Sequence, residues 1–150
     1  MRAIVQRVSE ASVTIDGKVS GQIGKGFMVL LGIGDDDTAE DATWLCNKIA
    51  SLRIFSDDEG KMNLDIKTVG GSILLVSQFT LQAKYKKGTR PSFIHAARPE
   101  QAIPLYEKCS AIFQEVLGKT TETGEFGAMM DVALVNDGPV TIFLDTKNKE

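Results

Sequence analysis

The dipeptide Asp16-Gly17 stands between two short runs in which apolar and polar residues alternate, and it commits the start of the chain to antiparallel β-structure. Two adjacent residues that tolerate positive φ make the tight turn whose twist matches that of paired strands, so the pattern predicts a β-hairpin. Residues 3–8 and 12–16 are expected as strands before the turn, and Lys18-Val-Ser-Gly-Gln-Ile23 as the return. Gly26-Phe-Met-Val-Leu-Leu-Gly-Ile33 follows, an apolar run of strand length suited to the centre of a sheet.

Helical spacing takes over at residues 38–50, where Ala42, Leu45, Cys46 and Ile49 share a face. Asp35-Asp36-Asp37 just before it could suggest a metal site, but Asp37 with Glu40 fits an N-cap and capping box. The acidic turn Ser56-Asp-Asp-Glu-Gly-Lys61 has its glycine too early for a calcium loop. Residues 72–81 read as a strand, apolar in the first half and interrupted by Ser77, Gln78 and Thr80 towards its end. Residues 99–117 form a second helix, with Pro99 in its first turn and Leu105, Cys109, Ile112 and Val116 at helical spacing. Two strands, 129–135 and 140–144, are then joined by Asn136-Asp-Gly-Pro139, and residues 146–150 are expected to fray.

Many strands with two main helices make a β-rich α+β chain, with curved antiparallel and mixed sheets forming a partial barrel. Residues 1–150 are expected as a single domain, long enough for a substantial core. Cys46 and Cys109 lack metal or redox spacing and are expected as buried free thiols. No run has the length of a membrane span or a signal peptide, so a soluble cytoplasmic protein is expected. The net charge of −3 argues against a general nucleic-acid coat protein. Locally, however, Lys84, Lys86, Lys87, Arg90 and Arg98 follow one another with no acid between them. That strip is either a solvated loop or a surface for phosphates.

Catalytic devices of familiar kinds are missing. The sequence has no phosphate-binding loop, no dinucleotide fingerprint and no nucleophile elbow, and His95 is its one histidine. Cofactors and metals are not expected. Two anomalies remain: the polar end of an otherwise apolar strand, and Gly138-Pro139. A proline at such a place belongs at the first position of a strand, at an edge or in a bulge. Its preceding peptide bond is a candidate for cis, with an ordinary trans turn as the alternative.

Ser77-Gln78-Phe79-Thr80-Leu81, taken together with Asn136-Asp137-Gly138-Pro139-Val140-Thr141, resembles the paired signature of the D-aminoacyl-tRNA deacylases, also called D-tyrosyl-tRNA deacylases. The resemblance runs through Met1-Arg-Ala-Ile-Val-Gln-Arg-Val8, Gly88-Thr-Arg-Pro-Ser-Phe93 and Thr123-Gly-Glu-Phe-Gly-Ala-Met-Met130. It implies the family fold and an esterase that removes D-amino acids from tRNA, with glycine mischarged on tRNA(Ala) as a second substrate. It further implies a homodimer in which a cis Gly138-Pro139 enters the partner's site and rejects L-aminoacyl groups. By the same resemblance Ser77, Gln78, Phe79 and Thr80 surround the scissile carbonyl, and Arg7 ties the two motifs. Phe126 and Met130 would meet the terminal adenine, and Lys84, Lys86, Lys87 and Arg90 the acceptor-stem phosphates. Thr80 could be the nucleophile or could orient water. Two alternatives stand beside this: a non-catalytic RNA-binding dimer, and a small-molecule esterase using Ser77 and His95.

Overall fold

The computed structural model describes residues 1–150. Strands β1 (Arg2–Ile15), β2 (Lys18–Ile23) and β3 (Gly26–Gly32) precede helix α1 (Ala39–Ala50). The short strands β4 (Phe55–Ser56) and β5 (Met62–Leu64) form a separate ribbon, and β6 (Ser72–Ser77) returns to the main sheet. Helix α2 (Pro99–Leu117), β7 (Glu122–Thr123) and β8 (Asp131–Asp145) complete the chain.

The hairpin forms where expected, with Asp16 and Gly17 at φ 49° and 76°. It is longer than the pattern suggests, because β2 and β3 are two parts of one return strand. Ala11 faces Ile23 and Val8 faces Gly26, so the register continues across the break between them. β1 is likewise a single strand rather than two. Exposed Ser9 and Glu10 interrupt its apolar alternation, yet Glu10 still pairs with Val135 of β8 and Ala11 with Leu134.

β3 pairs in parallel with β6, and β6 in parallel with β7, giving the mixed order β2-β1-β3-β6-β7 with β8 on the other edge of β1. The sheet curls until β7 meets β2. Ser20 Oγ donates to the Thr123 carbonyl at 3.2 Å, and a Cβ on Gly21 would lie 2.7 Å from the same oxygen. The result is a nearly closed barrel with two helices on its outside.

One core lies between the sheet and the helices, built on Val5, Phe27, Leu31, Leu45, Ile73 and Phe113. A smaller one, with Val8, Val13, Met28 and Leu74, fills the barrel. β3 is covered on both faces, which explains its continuous apolar run. Each fully buried Leu or Phe contributes roughly 1.5–3 kcal/mol.

Four local expectations are corrected. Helix α1 is capped by Thr38, whose hydroxyl accepts the Asp41 N–H at 3.4 Å while Asp41 accepts the Thr38 N–H at 2.9 Å. Asp37 is instead buried, accepting the Gly34 N–H at 2.6 Å and pairing with the Met1 ammonium. Helix α2 buries Ala102, Tyr106, Cys109 and Phe113, so of the four expected residues Cys109 faces the core and Leu105, Ile112 and Val116 are half-buried. The Tyr106 hydroxyl sets this rotation by donating to the Leu75 carbonyl at 2.8 Å. The tail does not fray at residues 146 and 147. Thr146 N–H donates to the Met1 carbonyl at 2.8 Å, and Lys147 Nζ reaches Asp41 at 2.9 Å.

The last correction concerns β8. Residues 129–135 and 140–144 do not hand over to each other through a turn. Both lie along β1, with Arg2 facing Asp145 through Gln6 facing Thr141, then Val8 facing Asn136 through Thr14 facing Asp131. Asp137, Gly138 and Pro139 are extra residues opposite Arg7, so the proline occupies a bulge that projects from one long strand.

Candidate active site

β6 ends sooner than its composition suggests. Gln78 N–H makes a last ladder bond to the Leu31 carbonyl at 2.8 Å, and Phe79–Gln82 then wind into a single 3-10 turn. That turn lies on Gly32. A Cβ there would approach Leu81 Cβ at 2.7 Å and the Gln78 carbonyl at 2.9 Å, so the glycine makes the close contact possible. Gln82 Nε2 donates to the Gly32 carbonyl at 3.0 Å, and Arg2 Nη1 donates to the Leu81 carbonyl at 2.9 Å. Strain-free strand propensity for residues 78–81 is thereby overridden by packing. The N–H groups that open a 3-10 turn, those of Phe79 and Thr80, have no carbonyl within it to bond. The Gln78 side-chain amide donates to the Thr80 hydroxyl.

Beside this turn is a cavity of about 490 Å³, mostly apolar, which Ser77, Gln78 and Phe79 line on one side and Phe126–Met130 on the other. Leu31, Ile33, Val76, Ala96, Ala97, Pro99, Ala102 and Val132 complete it. Tyr106 supports the Phe126 ring edge to face at 5.7 Å between centroids. Burial, and then Cys109 nearby, push the Tyr106 phenol up to about 12, so it stays a neutral donor to Leu75. Phe79 packs edge-on against Phe93 at 5.1 Å yet stays 57% exposed at the mouth. A larger open groove of about 980 Å³ beside α2 is lined by Glu107, Glu115 and Glu125 and holds neither motif.

The basic strip follows the turn along the chain and meets the cavity mouth only through Phe93, which packs on Phe79. Lys84 and Ser92 exchange backbone hydrogen bonds of 2.8 and 2.9 Å, closing a loop next to Phe93 that carries Lys86, Lys87 and Arg90. All four cations from Lys84 to Arg90 are exposed, and none is paired with a carboxylate.

Arg7, Gly138 and Pro139 gather at a different place. Arg7 is buried, with Nη1 donating to the Ile54 carbonyl at 2.7 Å and Nε to the Asp137 carbonyl at 3.1 Å. Gly138 has φ 126°, and a Cβ on it would lie 3.0 Å from Arg7 Nη2. The Gly138-Pro139 peptide bond is cis, and both residues are exposed. Pairing fixes how far this bulge is from the Ser77 turn. Ser77 faces Leu31, which faces Ala3, whereas the bulge lies opposite Arg7. The offset is roughly 13 Å along β1 and roughly 14 Å across three strand spacings. Within one chain the two motifs do not share a cavity.

The structure therefore brings together Ser77, Gln78, Phe79, Phe126 and Met130, and separates them from Arg7, Gly138 and Pro139; Thr80 does not line the cavity but follows Phe79 in the turn and meets the Gln78 side chain. His95 is not among the lining residues. Its Nδ1 lies 3.2 Å from Asp35 Oδ2, and its carbonyl accepts the Asp35 N–H at 3.0 Å. This removes the partner that a Ser77-His95 esterase would need. Sequence reasoning missed Ala96, Ala97, Met129 and Val132, which carry no polar signal and become wall residues through the fold alone. No cluster of three or more His, Cys, Asp or Glu side chains is arranged to hold a metal ion. No helix is long and apolar enough to cross a membrane.

Comparison with known proteins bears on this geometry. The model of the D-Tyr-tRNA(Tyr) deacylase family matches residues 4–145. The chain is 58% identical to the D-aminoacyl-tRNA deacylase of Bacteroides fragilis strain YCH46 and 56% identical to that of Akkermansia muciniphila, over the whole of both chains in each case. Among solved structures it is similar to the c-Myc DNA unwinding element binding protein, with TM-score 0.90 and 41% identity over 97% of this chain and 98% of that one. The fold also matches "a probable eukaryotic D-amino acid tRNA deacylase", with TM-score 0.83 at 17% identity over 95% and 97% of the two chains. Taken with the two motifs and the cavity, these matches mean that the chain belongs to the D-Tyr-tRNA(Tyr) deacylase family, a family of hydrolases.

Proposed function

We propose that this chain hydrolyses the ester between a D-amino acid and the 3′ end of tRNA, releasing the free amino acid and tRNA. The observation that carries the reading is the cavity beside the Ser77–Phe79 motif, which joins the start of the turn to an aromatic and thioether wall and whose Phe79 packs on Phe93, the residue after the cationic loop. The terminal adenine would pack on Phe126 and Met130, and acceptor-stem phosphates would meet Lys84, Lys86, Lys87 and Arg90. A tRNA substrate assigns the chain to the cytoplasm.

The ester carbonyl would then lie at Ser77, Gln78, Phe79 and Thr80. Main-chain N–H groups of the turn stabilise the oxyanion that forms on attack, where loss of one donor typically costs about 10²–10³ in rate. Water adds to the carbonyl carbon, and collapse breaks the bond to the ribose oxygen, which leaves with a proton. Thr80 has a donor, Gln78, directed at its hydroxyl and no base beside it. Attack by water, assisted by the neighbouring ribose hydroxyl, therefore fits better than a covalent Thr80 intermediate.

Chirality would be read by a second copy of the chain. The Gly138-Pro139 bulge is exposed and too far from its own Ser77 turn to act there, and β8 beside it carries exposed Val132, Val135 and Phe143. In a homodimer each bulge enters the partner's site. Rigid carbonyls there accept the α-ammonium and leave no room on the L side of Cα, whatever the side chain. Glycine has no side chain to reject, so glycyl-tRNA, including glycine on tRNA(Ala), is a second substrate.

Hydrolysis of matched D-tyrosyl-, L-tyrosyl- and glycyl-tRNA, with a chelator present, tests this. Release of the D and glycyl forms with sparing of the L form is expected. Binding of all three without turnover would support the RNA-binding dimer instead.

A further inference from the structure

The side chain of Asn136 sits where β8 leaves its register with β1, and every hydrogen-bonding position of its amide is used. Nδ2 donates to the Arg7 carbonyl and to the Val140 carbonyl, each at 3.0 Å. Oδ1 accepts from Thr141 Oγ1 at 3.1 Å and from Gln6 Nε2 at 3.3 Å. Two of these bonds, to Val140 and Thr141, span the foot of the projecting tripeptide Asp137-Gly138-Pro139. The other two fasten that foot to β1.

We infer that the Gln6–Asn136–Thr141 network, centred on Asn136, is the positioning device that aims the Gly138 and Pro139 carbonyls, and thereby sets stereoselectivity. This rests on the proposed function, because only that reading gives the carbonyls a substrate to meet. The tripeptide itself is exposed and makes few contacts of its own. Arg7 holds the Asp137 carbonyl from beneath, but no side chain donates to the carbonyl of Gly138 or Pro139, and neither residue has a partner in the β1 register. The direction of those two carbonyls follows from the geometry at their foot. An amide suits this place because it offers two donors to backbone carbonyls and one doubly accepting oxygen. None of the three residues touches the cavity, so their role is positioning rather than catalytic.

Two gentle substitutions separate aim from folding. Thr141→Val removes the hydroxyl at nearly constant shape on an exposed position, and Thr141→Ser restores it. Asn136→Asp keeps the acceptor oxygen but sets a second oxygen against the carbonyls of Arg7 and Val140. For Thr141→Val and Asn136→Asp, the ratio of kcat/KM for D-tyrosyl- over L-tyrosyl-tRNA is expected to fall at least tenfold, since misplacement by about 1 Å at a reacting centre can cost about 10²-fold. Thr141→Ser should recover the ratio, and the melting temperature of Thr141→Val should stay close to that of the parent, while Asn136→Asp, which orphans the Arg7 and Val140 carbonyls, should melt lower yet remain folded at assay temperature. An unchanged ratio in folded Asn136→Asp, with the parent active, overturns the inference. A parent that hydrolyses neither ester overturns the proposed function. In that case ¹⁵N relaxation still decides whether these bonds hold the bulge: the Asp137 and Gly138 amides should become more mobile in Asn136→Asp, and unchanged order parameters there overturn the positioning role.

Discussion

Arg7 Nε lies 3.1 Å from the carbonyl oxygen of Asp137 and 3.2 Å from its carboxylate, so one guanidinium holds both the backbone and the side chain of the residue that begins the bulge. The two contacts differ in value. The Asp137 side chain is 52% exposed, and exposed ion pairs are worth about 0–1 kcal/mol. The bond from Arg7 to the Ile54 carbonyl is buried and that to the Asp137 carbonyl part-buried, and orphaning such acceptors costs up to about 1–3 kcal/mol each. Urea denaturation should therefore show Arg7→Ala destabilised by about 2–4 kcal/mol and Asp137→Ala by less than about 1 kcal/mol.

Gly32, which does not itself line the cavity, offers a test of the 3-10 turn. Gly32→Ala should displace the turn by pushing on Leu81 and Gln78, lowering the D-aminoacyl ester hydrolysis rate by roughly tenfold or more. Circular dichroism should stay unchanged. Full activity in the variant would mean that the turn need not lie where it does.

If the loop from Lys84 to Arg90 meets phosphates, its removal should alter salt dependence rather than chemistry. Lys86→Ala and Lys87→Ala should each reduce the slope of log Kd for tRNA against log salt by about 0.7–0.9 for each phosphate no longer neutralised. Rates at saturating substrate should not change. His95→Ala should also leave the hydrolysis rate nearly intact, since His95 bonds Asp35 and stands outside the cavity.

Acid should weaken the joint between the chain ends. Burial works to raise the Asp41 carboxyl, but hydrogen bonds from Lys147 and Thr38 outweigh it and hold the group well below the usual carboxylate range. Asp145 is also lowered, burial being outweighed by the Lys147 N–H and Arg2. A carboxyl with a depressed folded pKa contributes stability above its unfolded value of about 3.9, and that contribution is lost as pH falls. Melting temperature should therefore drop as pH falls below about 4, with a shallower drop in Asp41→Asn.

The parts of this fold that local chemistry decides were readable in the sequence. Asp16-Gly17 marks the hairpin, and the buried face of α1 contains the expected Ala42, Leu45, Cys46 and Ile49. What escaped was decided at a distance. Asp37/Glu40 and Thr38/Asp41 are overlapping capping patterns one residue apart, and Asp37 is drawn away by Met1 and Gly34. Residues 78–81 look like strand until Gly32 admits them as a turn. β8 looks like two strands because nothing local reveals that β1 is long enough to pair with both halves. In the cavity, the motif side Ser77–Phe79 was legible through its misplaced polarity, while Ala96, Ala97 and Met129 were not, because apolar wall residues resemble any others.

The bulge interrupts a strand instead of joining two elements, and this restricts how the chain can diverge. A surface loop can grow or shrink because its ends stay put, and slack is taken up in solvent. Here both flanks of Asp137-Gly138-Pro139 are locked in register along β1. One residue more or fewer would either lengthen the projection or turn every side chain beyond it to the opposite face. The loop from Lys84 to Ser92 is thus free to change in length, whereas the projecting tripeptide behaves as a part of fixed length, open to change only by substitution.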